Sequence, residues 1–226
     1  MEEKFVYDVP KTLPVILLLD TSGSMASNDH IMVLNNAVNN MLKSFREFDS
    51  IDATISVAII SFGGKVELVN ELKPVDEVED IHLAASGNTP FGGALRLAKE
   101  MIEEKKNFPS RSFRPTIITV SDGIPNDQWK EALDEFKNQG RSSKCHCMAM
   151  SIGADEGTPA YEILEKFAGS GENVFFADSA KDIKKFFRFV TTTITTRTQS
   201  ANPNVIPEIK IDSIPDLDDD DDDLLY

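Results

Sequence analysis

Val15-Ile16-Leu17-Leu18-Leu19-Asp20-Thr21-Ser22-Gly23-Ser24-Met25 decides how this chain is read, because an aliphatic run stops abruptly at one carboxylate and two hydroxyls spaced two residues apart. Such a run fits a strand buried on both faces, and in open α/β sheets the carboxyl ends of these strands face the ligand crevice. Past the strand end, Asp20, Ser22 and Ser24 can converge from one short loop, with Gly23 expected to give the backbone its freedom to bend. Oxygen donors of this kind suit a hard cation such as Mg²⁺, which prefers octahedral geometry, keeps several waters and takes few protein carboxylates. The alternative is a helix N-cap cluster, since Asp and Ser side chains commonly accept hydrogen bonds from the first N–H groups of a helix.

Working outward, strand-like and helix-like patterns alternate. Residues 15–20 form the first strand, and 29–47 place Ile31, Leu34, Ala37, Val38, Met41, Leu42 and Phe45 at helical spacing. Residues 55–62 and 65–69 are two strand-like runs joined by Gly63-Gly64, a hairpin signal that predicts one antiparallel edge strand. Helix 91–106, strand 116–121, helix 126–139, strand 145–152, helix 158–168, strand 173–177 and helix 179–195 complete the series. The pattern predicts an α/β fold: a doubly wound, mostly parallel central sheet with one antiparallel edge strand and helices on both faces. One domain over residues 1–198 and a tail over 199–226 account for the length.

Two further loops offer oxygen donors. Thr89 lies in Ser86-Gly87-Asn88-Thr89-Pro90, just before the Gly-rich helix start Phe91-Gly92-Gly93, and Asp122 lies just past the apolar strand Thr116-Ile117-Ile118-Thr119-Val120. Taken singly, Thr89 reads equally as a helix cap and Asp122 as a turn residue before Gly123. Together with Asp-x-Ser-x-Ser, they resemble the metal-ion-dependent adhesion site (MIDAS) of von Willebrand factor A (vWA) domains, over roughly residues 10–195. The Leu-Pro-Val lead-in, the Ser-Gly-Ser-Met loop and Ser-Asp-Gly-Ile-Pro-Asn-Asp-Gln-Trp are similar to the bacterial branch associated with tellurium resistance.

That resemblance implies a Mg²⁺ ion, with Mn²⁺ or Ca²⁺ as alternatives, held through the hydroxyls of Ser22, Ser24 and Thr89, with Asp20 and Asp122 reaching it directly or through water. Two carboxylates and three neutral hydroxyls leave a divalent ion electrophilic, so an Asp or Glu of a protein partner can complete the octahedron. The implied protein is an adaptor and not an enzyme, in a bacterial stress-response or defence complex whose partners include kinase-like or phosphatase-like proteins.

Composition narrows the alternatives. The net charge is −15, and residues 201–226 carry nine acids against Lys210, which leaves −7 for the body. An acidic chain argues against nonspecific nucleic-acid binding. No 18-residue apolar stretch exists and Met1-Glu2-Glu3-Lys4 does not open a signal-like segment, so a cytoplasmic location without membrane attachment is expected. Cys145 and Cys147 flank His146 on a strand, so both thiols should share one face as packed side chains, with a two-Cys, one-His zinc site as the alternative.

Asp20-Thr21-Ser22 is similar to the Asp-Thr-Gly of aspartic proteases but lacks its glycine, and the alternating helices contradict an all-β protease. The second aspartate of a haloacid-dehalogenase-like phosphatase is replaced by Ser22, and the common phosphate-loop, nucleophile-elbow and zinc-protease motifs are missing. The rivals to an adaptor are a metal-dependent hydrolase or phosphatase using the same crevice, and an inhibitor acting through the acidic tail.

Basic residues gather at Lys105, Lys106, Arg111 and Arg114, and again at Lys181, Lys184, Lys185 and Arg188 with helical spacing. In the tail, Pro203, Pro207 and Pro215 break regular structure, while Val205, Ile206, Ile209, Ile211, Ile214 and Leu217 predict that it clings to a surface. The six aspartates Asp218 to Asp223 should be solvated or bound to a basic site.

Overall fold

The computed structural model describes residues 11–48, 53–106, 108 and 112–215. The N-terminal Met1-Glu2-Glu3-Lys4, Arg111, Leu217 and the Asp218–Asp223 run lie outside the described residues. In chain order the elements are β1 (Lys11–Asp20), α1 (His30–Glu47), β2 (Ala53–Gly63), β3 (Lys65–Pro74), α2 (Phe91–Glu103), β4 (Thr116–Ser121), α3 (Trp129–Asn138), β5 (His146–Ile152), α4 (Pro159–Ala168), β6 (Val174–Ala177) and α5 (Ala180–Gln199). The strands form one sheet in the order β3-β2-β1-β4-β5-β6, parallel except for the antiparallel pairing of β3 with β2.

Hydrophobic alternation in β1 explains the layers. Leu13, Val15, Leu17 and Leu19 pack into a core shared with α1 and α5, whereas Ile16 and Leu18 point into a second core built by α2, α3 and α4. Both faces of β1 are therefore dry, and this is why its sequence reads as a continuous aliphatic run rather than as an alternating one. The strand starts earlier than predicted, at Lys11, because Lys11 to Pro14 pair with Ala53 to Ser56. Proline is tolerated at position 14 because β4 begins only opposite Val15, so β1 has a single neighbour there.

Two elements outrun their sequence signal. β3 extends to Pro74, but as an edge strand with a mostly exposed face it carries Glu67, Glu71 and Lys73, and its apolar pattern fades. α5 continues to Gln199 through a run of threonines that favours strands. The hydroxyls of Thr191, Thr192, Thr195 and Thr198 fold back onto carbonyls three or four residues earlier, which satisfies them within the helix.

After α5 the chain doubles back along that helix and lies on the α1/α5 core, where Ile209 and Ile211 are partly buried and Ile214 is buried. Three polar anchors pin it. Arg197, fully buried, donates to the carbonyl oxygens of Pro203 (2.8 Å) and Arg114 (2.6 Å) and to Thr116 Oγ1 (2.5 Å). The Arg114 backbone N–H donates to Asn204 Oδ1 at 2.7 Å, and Arg188 Nη1 donates to the Pro215 carbonyl at 2.9 Å. The segment expected to cling thus has its own domain as the surface over residues 200–215.

Stability should track these contacts. A buried charge donor stripped of its acceptor costs about 1–3 kcal/mol or more, and an uncovered aliphatic side chain costs about 1.5–3 kcal/mol. A chain ending at Gln199 should lose several kcal/mol in urea unfolding, whereas one ending at Pro215 should lose less than about 1 kcal/mol.

Candidate metal centre

Three loops meet at the carboxyl ends of β1 and β4. Their approach is set by backbone-to-backbone hydrogen bonds: Thr21 N–H to Phe62 O (3.1 Å), Ser86 N–H to Thr21 O (2.7 Å), Gly23 N–H to Gly87 O (3.0 Å) and Gly64 N–H to Asn88 O (3.0 Å). Such closeness excludes side chains. A Cβ on Gly63 would lie 2.1 Å from the Thr21 carbonyl oxygen, and one on Gly87, whose φ is +72°, would lie 2.4 Å from Gly64 Cα. Gly23, expected to supply the bend, has no positive φ, and a Cβ there would make only ordinary contact at 3.5 Å. Left-handed backbone is found instead at Gly64 and Gly87 in the facing loops and at Asn28 and Asp29 farther along the same loop.

Asp20 ends β1 fully buried. Its Oδ1 accepts the Ser22 backbone N–H at 2.8 Å and its Oδ2 accepts the Ser121 hydroxyl at 2.5 Å. The Ser22 and Ser24 hydroxyls are 3.0 Å apart, and Ser24 donates to Asp122 Oδ1 at 2.7 Å. Thr89, also buried, has its Oγ1 3.7 Å from the position a Cβ would take on Gly123, so it faces the loop that carries Asp122. The five residues singled out in the sequence therefore lie on three loops that converge at one crevice. The helix-cap alternative finds no support for the β1 loop, where neither the 3₁₀ turn after Ser22 nor α1 has a side-chain cap.

Two residues escaped sequence reasoning. Ser121 holds the second oxygen of Asp20, and its only sequence signal was a hydroxyl at a strand end beside Asp122. Asp127 accepts the backbone N–H groups of Gly92 (3.0 Å) and Gly93 (2.8 Å), capping α2 from the loop that also bears Asp122. A carboxylate at a helix N-terminus is favoured by the helix dipole. The Gly-rich start of α2 is what admits it, since a Cβ on Gly92 would lie 2.7 Å from Trp129 Cα.

Burial pushes the Asp20 carboxyl up from its ordinary 3.8 to about 6; bonds from Ser121 and Ser22 oppose this, and the charge of Asp122 adds to it. Among the described residues no Lys, Arg or His forms an ion pair with Asp20 or Asp122. Two carboxylates without a counter-charge, ringed by hydroxyls, fit a hard divalent cation on the chemistry of the donor set. Among the described residues no group of three or more His, Cys, Asp or Glu side chains gathers anywhere, and this site counts two carboxylates beside its hydroxyls. The zinc alternative at Cys145, His146 and Cys147 fails on strand geometry. Both thiols face the α2/α3/α4 core, with burial pushing them up to about 12 and about 11, while His146 alternates to the other side of β5.

Comparison with known proteins agrees with this architecture. Residues 15–124 match the family model of the von Willebrand factor type A domain. The fold of the chain is that of a vWA domain. The pilus adhesin SpaC from Lactobacillus rhamnosus GG, in an open conformation, superposes with a TM-score of 0.69 at 17% identity, covering 84% of this chain and 31% of that one. The vWF domain of the type V pili tip protein Mfa5 from Porphyromonas gingivalis gives 0.67 at 11% identity, covering 86% and 98%. Proximal thread matrix protein 1 from the mussel byssus, solved with a zinc-occupied MIDAS motif, gives 0.60 at 18% identity, covering 84% and 47%. This chain thus spans less than a third of SpaC and about half of the mussel protein. At these identities the likeness is one of fold, and no curated protein matches the chain.

The raised proton affinity of Asp20 has a measurable effect on stability. Because Asp20 holds its proton more tightly folded than unfolded, its contribution to stability is fully present below pH 3.8 and is lost as pH rises through about 6. In chelator, Asp20→Asn should therefore be more stable than the wild type at pH 8, by roughly 1–3 kcal/mol, and similar to it near pH 4. Urea unfolding across pH measures the difference; equal stability at pH 8 contradicts the assigned desolvation. By the same measurement, Gly87→Ala should cost at least twice as much as Gly153→Ala. Both positions have positive φ, at about 1–2 kcal/mol for a non-glycine residue, but a Cβ on Gly153 meets nothing within 4 Å.

Proposed function

We propose that this vWA domain is a divalent-cation-dependent protein-interaction module, with Asp20, Ser22, Ser24, Thr89 and Asp122 holding the ion. The observation that carries the reading is the buried Asp20 carboxylate, close to Asp122 and hydroxyl groups and without a cationic partner among the described residues. Mg²⁺ suits the all-oxygen donor set best, with Mn²⁺ and Ca²⁺ as substitutes. Bound there, the cation would supply a positive charge with an open position for a carboxylate of an Asp or Glu on a protein partner.

The chain's own residues divide the work. Asp20, locked by Ser121 and the Ser22 amide, fixes the floor of the site. The exposed Ser24 and half-buried Asp122 form its rim, with the exposed Ile124 two residues on providing apolar surface beside it. The role is adhesion and assembly rather than turnover, and the zinc-occupied MIDAS of the mussel protein supports ion binding by this fold.

The Ser-Gly-Ser-Met and Ser-Asp-Gly-Ile-Pro-Asn-Asp-Gln-Trp loops support a setting in a bacterial tellurium-resistance or stress-response complex, with kinase-like or phosphatase-like partners. A cytoplasmic location belongs to the same proposal; no helix among the described residues is long and apolar enough to cross a membrane.

Calorimetric titration with Mg²⁺ or Mn²⁺ tests the site. The Ser22→Ala/Ser24→Ala/Asp122→Ala triple variant should stay folded and lose at least about 100-fold in affinity, the scale reached when even groups supporting a metal ligand are removed. Unchanged affinity overturns the ligand set. Phosphate-ester turnover that disappears in Asp20→Ala would replace the adaptor with a hydrolase.

A further inference from the structure

The returning tail points to an interaction surface that the metal centre does not explain. Residues 203–215 run antiparallel to α5: the Pro203 carbonyl is held by Arg197 near the helix end, and the Pro215 carbonyl by Arg188 nine residues earlier in the helix. Ile209, Ile211 and Ile214 seat the same stretch on the α1/α5 core, so its direction is fixed by packing as well as by hydrogen bonds. That direction points along the helix towards Lys185, Lys184 and Lys181. With Arg188 these sit at i, i+3, i+4 and i+7, which is one face of a helix. Lys181 is exposed, and Lys184, Lys185 and Arg188 are partly so.

Beyond Pro215 the chain continues as Asp216-Leu217 and then Asp218 to Asp223. We propose that the cationic face of α5 formed by Lys181, Lys184, Lys185 and Arg188 is the docking site of the chain's own aspartate segment 216–223. The lengths agree: seven helical steps from Lys181 to Arg188 cover about 10 Å, and four extended residues cover about 13 Å. The tether decides the occupant, since a segment leaving from a residue bonded to Arg188 meets the rest of the stripe at an effective concentration in the millimolar range.

The second basic group is a poorer rival. Lys105 and Lys106 lie just beyond α2, on the other face of the sheet from the returning tail. The clasp is electrostatic. Exposed pairs gain little singly, but several act together here, and the Debye length falls from about 8 Å at physiological salt to about 3 Å at 1 M.

Lysine acetylation by N-hydroxysuccinimide acetate, read by peptide mass spectrometry, tests this on the intact protein. In low salt Lys181, Lys184 and Lys185 should react about threefold or more slowly in the full chain than in a chain ending at Pro215, with Lys166 as an unchanged reference. The difference should vanish at 1 M NaCl and should not depend on protein concentration.

The full-length variant carrying Asp218→Asn through Asp223→Asn separates charge from cover and should react like the shortened chain. Equal rates in full and shortened chains overturn the proposal, as does protection that survives the asparagine substitutions. Protection that grows with protein concentration reassigns the segment to a second copy. Protection moved to Lys105 and Lys106 reassigns it to the other basic group.

Discussion

The desolvation of one carboxylate organises this molecule. Asp20 ends a strand buried on both faces, and its fully buried side chain is accommodated by two hydrogen-bond donors and a raised proton affinity. Both donors are local to the crevice: the Ser22 amide comes from the loop that Asp20 opens, and the Ser121 hydroxyl from the end of the neighbouring strand. Loss of hydration for a charge is costly, so an arrangement of this kind is retained where something outside the chain returns the lost stabilisation. The parallel pairing of β1 with β2 and β4 and the glycine-lined approach of the 62–64 and 86–88 segments all serve to close the protein around that group.

The architecture was legible because the relevant physics is local. Dry-on-both-faces strands leave continuous aliphatic runs, and a Gly-Gly between two strand-like runs announces the antiparallel pairing; both were read correctly, as were the helices that alternate with them. The ligand candidates could be picked out because oxygen-bearing side chains just past a buried strand have few ordinary reasons to be there. Boundaries were less legible where tertiary context outweighs propensity. The edge position lets β3 carry charges, and back-bonded hydroxyls let α5 keep four threonines in its last turns.

The features that stayed hidden depended on residues far apart in sequence. Nothing near Asp127 announces that its carboxylate crosses to the amides of Gly92 and Gly93, and nothing near Gly63 or Gly87 states which backbone atom comes too close for a methyl group. Gly23, flanked by the ligand candidates, drew the conformational role that belongs to Gly64 and Gly87. The apolar tail was recognised as adhesive, but its binding surface became evident only once α5, β4 and residues 203–215 were in place together.

Arg197 gives the fold a temporal order. Among the described residues its buried guanidinium pairs with no carboxylate, and its acceptors come from Thr116, Arg114 and Pro203, so one of the three is made after the helix that bears it. During synthesis the sheet and α5 are complete at residue 199 while the arginine still lacks that carbonyl. Until the next few residues emerge, this corner must stay open to water, since closing it would strand a charged donor. The nascent domain is thus held short of its final compactness by a single permanent charge, and the stretch that follows α5 acts as the latch that lets it shut.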